Sequence, residues 1–375
     1  MSKIAIVGAG PAGCSAGYHL ARSGHDVTLM DKQSFPRDKV CGDGISIESI
    51  QSISTMGIYP QDVRKLASEY APIHHFFLGV SNQISHSEPT NLEAYCIPRL
   101  VFDQLLYEKA INAGCRFLTQ IVHKNDWQRQ GLLDAFDTII DARGVSAGEV
   151  TAIAIRAYWM VKRQDLSETA LAEAQIHFDR SLGANGYGWI FPVSTQHDLV
   201  KLNVGVGVWL DEYQTLNVNV IQLFKQFIQT NKAAQQLLSN VVSQQPPQVF
   251  PLATAKKGNK VADGKVLRIG DAANLTDPLT GEGIANAVLS GFHVAQAVNM
   301  SRTPAVTAEN WQYLYESHFE ADLRAGLNIK AFRKFSFMNY LLIWLMKQNP
   351  RVAQQVSHAV AGVVPYNEVL ASLKY

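Results

Sequence analysis

Lys3-Ile4-Ala5-Ile6-Val7 runs without a break into Gly8-Ala9-Gly10-Pro11-Ala12-Gly13, and a helical pattern follows through Ala21 and Arg22. A short β-branched strand, a GxGxxG turn and a helix in that order is the context that gives the motif physical meaning. Gly8 permits the tight turn, Gly10 lets the backbone approach a pyrophosphate, and Gly13 lets helix and strand pack closely. Pro11 and Ala12 open the helix whose exposed N–H groups and positive dipole end favour phosphate. A second strand, His25 to Met30, ends at Asp31, 18 residues beyond Gly13. An acid at about that distance accepts a hydrogen bond from a ribose hydroxyl and disfavours a 2′-phosphate.

The same arrangement recurs far along the chain. Lys265 to Ile269 is a short apolar strand, followed by Gly270-Asp271-Ala272-Ala273-Asn274, then Asp277-Pro278-Leu279-Thr280-Gly281-Glu282-Gly283-Ile284 and a helical pattern from Ala285 to Ala297. Asp271 at the strand end is placed for a ribityl or ribose hydroxyl. The loop before Gly283 is expected to offer N–H groups and a positive dipole to a reduced, negatively charged flavin ring. Two separated dinucleotide contacts fit one long, extended cofactor.

Composition narrows the field. The 375 residues carry 33 Lys plus Arg against 32 Asp plus Glu, 47% apolar and 17% charged residues, and a net charge of +1. The chain is long enough for two or three structural units, and it lacks the basic excess that nucleic-acid binding needs. Its four cysteines, Cys14, Cys41, Cys96 and Cys115, form no CxxC pair and no disulfide framework, which fits a reducing cytoplasm. Ile4 to Val7 is too short for a signal-peptide core.

The GAGPAG start, the Gly270-Asp271 strand end and the DPLTGEG loop resemble the FAD-dependent oxidoreductases of the para-hydroxybenzoate hydroxylase type. Pro36-Arg37-Asp38-Lys39-Val40-Cys41-Gly42-Asp43-Gly44 and Tyr187-Gly188-Trp189-Ile190-Phe191-Pro192 are similar to motifs of the geranylgeranyl reductase subgroup. Pro98-Arg99 with Phe102-Asp103 matches the segment whose arginine approaches the FAD in that family. The resemblance runs from Met1 to about Gly291. It implies FAD as cofactor, with NADH or NADPH as one candidate electron donor among others. It places Gly8, Gly10, Pro11, Ala12, Gly13, Asp31, Lys32, Arg37, Cys41, Gly42, Arg99, Gly270, Asp271, Pro278, Gly281, Glu282, Gly283 and Ile284 at the cofactor. One departure is Asp141-Ala142-Arg143-Gly144, where Arg143 stands in place of an acid linked in the family to pyridine-nucleotide use.

The expected fold is α/β: a Rossmann-like FAD-binding domain (1–68, 98–146 and 262–305), an inserted mainly β substrate-binding domain (69–97 and 147–261), and a C-terminal helical region (306–375). Period-2 alternation in Gln175 to Phe178, Trp189 to Val193 and Leu199 to Val206 marks strands of the insertion. Tyr187, Trp189 and Phe191 then share one face, as sheet core or as the wall of an apolar pocket. Cys41, Tyr187 and Trp189 are the candidate catalytic residues. His74 and His75 lack a third ligand nearby and read as surface or core residues.

Phe335 to Met346, flanked by Lys330, Arg333, Lys334 and Lys347, is 12 residues long, too short for a transmembrane helix, which needs about 20. It reads as a packed helix or as a peripheral membrane or partner contact with a basic rim.

The resemblance implies hydride transfer from reduced flavin to a carbon–carbon double bond of an apolar, isoprenoid-like substrate. A second reading is a monooxygenase acting on an aromatic ring, in a small molecule or in a tryptophan of a partner protein during quinone-cofactor maturation. A third is a non-catalytic FAD-binding interaction protein. The lysine-bearing and paired-tryptophan motifs of halogenases are not seen.

Overall fold

The computed structural model describes residues 1–123, 126–216, 218–301, 303–335 and 337–368. Ser336 of the apolar segment and 369–375 of the C-terminal region lie outside the described residues.

Two sheets organise the chain. The first has six strands, in the spatial order Ala262–Asp263, Val266–Arg268, Thr138–Asp141, Lys3–Val7, Asp26–Asp31, Arg116–Thr119. All neighbouring pairs are parallel except the short Ala262–Asp263 edge hairpin. Parallel strands buried on both sides read as continuous apolar runs, and Ile4 to Val7 and Val27 to Met30 do so with almost no exposure. The Lys3–Val7 strand lies beside Thr138–Asp141, which in turn pairs with Val266–Arg268, so both glycine turns leave the same end of one sheet.

The helices that follow these turns, Pro11–Arg22 and Ile284–Asn299, pack against each other. Their approach needs a residue without a side chain, because a Cβ at Gly291 would lie 2.5 Å from the Ala12 carbonyl oxygen. Ser15 Oγ donates to the Val288 carbonyl at 2.7 Å, locking the crossing. The two halves of the cofactor signature are thus one packed unit.

The second sheet has nine strands: Val241–Gln244, Ala152–Lys162, Leu199–Trp209, Tyr187–Gln196, Glu173–Phe178, Pro72–Val80, Ile84–Cys96 and Gly44–Ile45 in order, with Gln248–Leu252 also paired to Ala152–Lys162. Gly44–Ile45 is joined antiparallel to the end of Ile84–Cys96, which carries the loop before it onto this sheet. One face is covered by Val220–Thr230 and Lys232–Leu238, with Phe224 and Phe227 over Val204, Val206 and Ile190.

The apolar segment forms the helix Phe337–Gln348. Ile343 and Met346 pack with Leu78, Val80 and Ala353, while Tyr340, Leu341, Trp344 and Leu345 face outward. The inner side of this stretch is thus a packed helix face, and the outer side is exposed. No described helix is long and apolar enough to cross a membrane.

Candidate functional site

At the first glycine turn, Gly8 has φ +108°, and a Cβ there would sit 2.1 Å from the Ala142 carbonyl oxygen. A Cβ on Gly13 would fall 1.8 Å from the Gly8 carbonyl. Gly10 is different: the nearest atom to its Cβ position is Arg37 Nη2, at 3.8 Å, and its backbone is extended. Its side is open and faces a guanidinium. Arg37 is mostly buried, bonds Asp103 at 3.2 Å and Asp31 at 3.5 Å, and leaves Nε without a partner among the described residues. An open glycine face beside a buried, incompletely used cation, at a helix N-terminus, fits the pyrophosphate of FAD.

Asp31 is 8% exposed and accepts from the Ala9 N–H at 2.8 Å, which ties the acid to the glycine turn. Lys32, by contrast, is exposed and has no partner among the described residues. Arg99 is buried and forms a two-pronged pair with Asp103 (2.6 and 2.9 Å). The sequence expectation aims Arg99 at the cofactor; within the chain its guanidinium is paired with Asp103. Asp103 thereby joins Arg37 and Arg99.

At the second turn, Gly270 has φ +57° and packs on Ala12 and Ala287. Asp271 accepts from Thr276 Oγ1 at 2.9 Å and pairs with Lys39 at 3.3 Å, which joins this turn to the loop before Cys41. Gly281 has φ +71° and lies near the Tyr187 hydroxyl, whereas Pro278 packs on Gly326 of the helix Ala321–Arg333. The loop's own acid takes two of the donors at its helix start. Glu282 Oε1 accepts from the N–H groups of Ile284 (2.8 Å) and Ala285 (3.2 Å) and from Ser49 Oγ (2.9 Å). Glu282 therefore caps its own helix, and the Ile284 N–H donates to that cap. A carboxylate so close to a helix start satisfies orphan donors and the dipole together.

Arg143 spends its charge locally. It pairs with Asp141 through two 2.8 Å bonds and stacks 4.4 Å over Trp127.

The aromatic strand meets these elements. Tyr187, Trp189 and Phe191 stand in a row on one face, with successive ring centroids 6.0 and 6.4 Å apart. The Tyr187 hydroxyl donates to the Thr280 carbonyl, fastening the row to the DPLTGEG loop. Trp189 lies against Gly205, where a Cβ would come within 2.1 Å of its ring, and Gly42 faces Trp189 and Phe191 at 3.7 Å. Cys41 is partly exposed beside this wall, and Cys14, Cys96 and Cys115 are buried. The Cys41–Gly44 loop, the aromatic row and the second glycine loop thus meet at one place.

Residues that the motif reading did not single out knit this wall together. Asn203, fully buried, accepts from Trp189 Nε1 and donates to the Cys41 carbonyl and to Asp43 Oδ2, each at 2.9 Å. Asp43 Oδ2 also accepts from the Tyr158 hydroxyl.

Behind the loop, a cavity of about 200 Å³ is lined by Glu48, Asp277, Glu282 and Asp322. Burial, then the neighbouring Glu282, Asp277 and Asp322 carboxylates, push Glu48 up to about 8. Because the folded-state value lies above the unfolded one, this group costs no stability well below pH 4.5 and progressively more as pH rises toward 8. Glu48→Gln should therefore stabilise the chain by a few kcal/mol, on the order of 3, at about pH 9 and by almost nothing at about pH 4, as read by urea unfolding.

Comparison with known proteins agrees with this construction. Residues 1–129 match the FAD binding domain family. The chain is 23% identical over 342 residues to a menaquinone reductase of Mycolicibacterium smegmatis, covering 85% of this chain and 81% of that protein. It is 25% identical over 370 residues to digeranylgeranylglycerophospholipid reductase 2 of Methanopyrus kandleri, covering 90% and 87%. In fold, it matches a geranylgeranyl bacteriochlorophyll reductase-like protein of Thermoplasma acidophilum with TM-score 0.70 at 18% identity, covering 100% and 98%. The flavin-dependent brominase Bmp2 matches with TM-score 0.72 at 17% identity, covering 100% and 99%.

Fold, phosphate turn and family match define an FAD-dependent oxidoreductase. Within that class, the chain resembles the geranylgeranyl reductases, as its CGDG and YGWIFP segments imply.

Proposed function

We propose that this flavoenzyme reduces a carbon–carbon double bond of an apolar, isoprenoid-like substrate, taking its electrons from NADH or NADPH. FAD, when bound and reduced, supplies the hydride. The chain's own residues bind, orient and dry the site. Gly10, Arg37 and the start of Pro11–Arg22 hold the pyrophosphate, while Asp31 and Asp271 stand at sugar and ribityl hydroxyls. Trp189 and Phe191 exclude water and present a flat apolar surface to the substrate. The observation that carries this reading is the row Tyr187, Trp189, Phe191, fixed to the Thr280 carbonyl at one end and packed on Gly42 at the other. The names of the two curated relatives, a menaquinone reductase and a digeranylgeranylglycerophospholipid reductase, support an isoprenoid substrate.

The test is an anaerobic single turnover with dithionite-reduced enzyme and polyprenyl lipids, read by flavin reoxidation and product mass. A product heavier by two hydrogens is expected. Turnover only in the presence of oxygen, with a product heavier by one oxygen, would replace this reading with an aromatic hydroxylase.

A lipid substrate also needs a route to the site, and we propose peripheral docking of the C-terminal helices on a membrane surface. Phe332 (64% exposed), Phe335, Phe337, Tyr340, Leu341 and Trp344 form an outward apolar strip beside the exposed Lys347 and Arg351. Aromatic groups backed by cations suit the interface of anionic lipid. The chain should co-sediment with vesicles of phosphatidylglycerol and phosphatidylcholine. Phe335→Glu with Trp344→Glu should weaken that partition by about tenfold or more; wild type remaining in the supernatant would refute the docking.

A further inference from the structure

The buried carboxyl of Asp43 has a division of labour that the binding roles above leave unused. Asp43 is fully buried and sits at φ +62°, a left-handed conformation uncommon for a residue with a side chain. Backbone strain of this kind persists where the surroundings hold it in place. Its Oδ2 accepts from two donors, the Tyr158 hydroxyl and Asn203 Nδ2. Its Oδ1 has no partner among the described residues. When the carboxyl is protonated, Oδ2 is already filled by two incoming hydrogens, so the acidic hydrogen belongs on Oδ1. The unpartnered oxygen is thus the one that would carry the proton. Asp43 follows Gly42, which faces Trp189 and Phe191, and shares Asn203 with the Trp189 indole and the Cys41 carbonyl.

We propose that Asp43 is the acid that protonates the substrate double bond, with Tyr158 and Asn203 as positioning residues that hold its Oδ2 and leave Oδ1 unpartnered for the proton. This rests on the alkene-reduction reading. The π bond is lost as the hydride's electron pair makes one new C–H bond; the other forms as the Asp43 O–H bond breaks. The substrate gains two hydrogens, the flavin is oxidised by two electrons, and the Asp43 carboxylate regains its proton from water.

The surroundings keep the carboxyl able to hold a proton near neutral pH. Burial pushes it up to about 6, against the pull of the Tyr158 and Asn203 bonds and of Arg156. Arg156 and Lys201 lie over the Tyr158 ring at 4.0 and 4.1 Å, and Arg156 pairs with Asp38 at 3.2 Å, a carboxylate half exposed to solvent. Cys96, Tyr70 and the Cys41 thiol complete the titratable groups around it. The proton-bound fraction falls as pH rises through the folded-state value, so alkene-coupled flavin reoxidation should slow about tenfold per pH unit above it.

The experiment has two readouts on FAD-loaded and FAD-free chain. In FAD-loaded enzyme reduced anaerobically by dithionite, Asp43→Asn should slow reoxidation by a polyprenyl lipid ~10²–10⁴-fold and flatten its pH dependence, the usual range for loss of a general acid. In FAD-free chain labelled with ¹³C-aspartate, one carboxyl resonance absent from Asp43→Asn should titrate near pH 6. It should move upward in Tyr158→Phe, which loses a bond favouring the carboxylate. If Asp43→Asn cannot be obtained folded, the Tyr158→Phe titration and the wild-type pH profile decide alone. Wild-type rate and pH profile in Asp43→Asn, or a carboxyl still ionised at about pH 4, would overturn the assignment while leaving alkene reduction standing. A wild type that reduces no polyprenyl lipid would take down both readings.

Discussion

Gly10→Val is expected to fold as the wild type does and to lose FAD. The extended backbone at Gly10 suits valine, and the nearest atom to a Cβ there, Arg37 Nη2, is 3.8 Å away, so nothing in the chain resists the new side chain. The two added methyl groups would instead fill the space the pyrophosphate needs. Hydrogen bonds to charged groups contribute about 1.5–3 kcal/mol each, and displacing two of them weakens binding by roughly 10²–10⁴-fold. Equilibrium dialysis with FAD, beside unchanged circular dichroism, measures both halves. Gly13→Val is the contrast: its Cβ would lie 1.8 Å from the Gly8 carbonyl oxygen, so the strand and helix could not pack and folding itself should fail. Two glycines of one motif thus have separable consequences, one at the ligand and one in the fold. Full FAD occupancy in Gly10→Val would remove the phosphate assignment.

Asn203→Leu should be the most damaging single change in the second sheet. Leucine fills a similar volume but strands the Trp189 indole N–H, takes a donor from the Asp43 carboxyl and leaves the Cys41 carbonyl unpaired. Each buried group left without its partner costs about 1–3 kcal/mol, so the total is on the order of 3–6 kcal/mol, with the three terms coupled through one side chain. The loss should appear as a lower urea midpoint followed by tryptophan fluorescence, and as faster proteolysis of the Pro36–Gly44 loop that Asn203 anchors. A midpoint unchanged from wild type would mean that the loop is held mainly by Lys39 to Asp271 and the Gly44–Ile45 pairing.

Both glycine turns were legible because backbone chemistry constrains residue type locally. Gly8 needs its positive φ, Gly13 its close contact, and each is readable within a strand, turn and helix of about thirty residues. The aromatic row was legible from its period of two. The Asp43 knot was not, since Tyr158 and Asn203 lie 115 and 160 positions along the chain from Asp43. A partial signal did exist: Asn203 interrupts an apolar strand and shares its face with Gly205 and Gly207, where missing side chains make room for the Trp189 ring. The capping role of Glu282 was not legible, because a motif shows where a helix starts and not which group takes its first donors. For Arg99, the family position was informative, but the pairing with Asp103 four residues on was the simpler clue, an i, i+4 ion pair on one helix face.

The account stands on a single FAD gripped by two distant turns that the crossing of Pro11–Arg22 and Ile284–Asn299 brings together. Calorimetric titration of the folded, flavin-free chain with FAD tests this most directly, with Gly10→Val run alongside. One FAD bound per wild-type chain, with the visible spectrum shifted from that of free flavin and uptake lost in the variant, is the predicted result. A correctly folded wild-type chain that stays colourless and releases no heat on addition of FAD would contradict it.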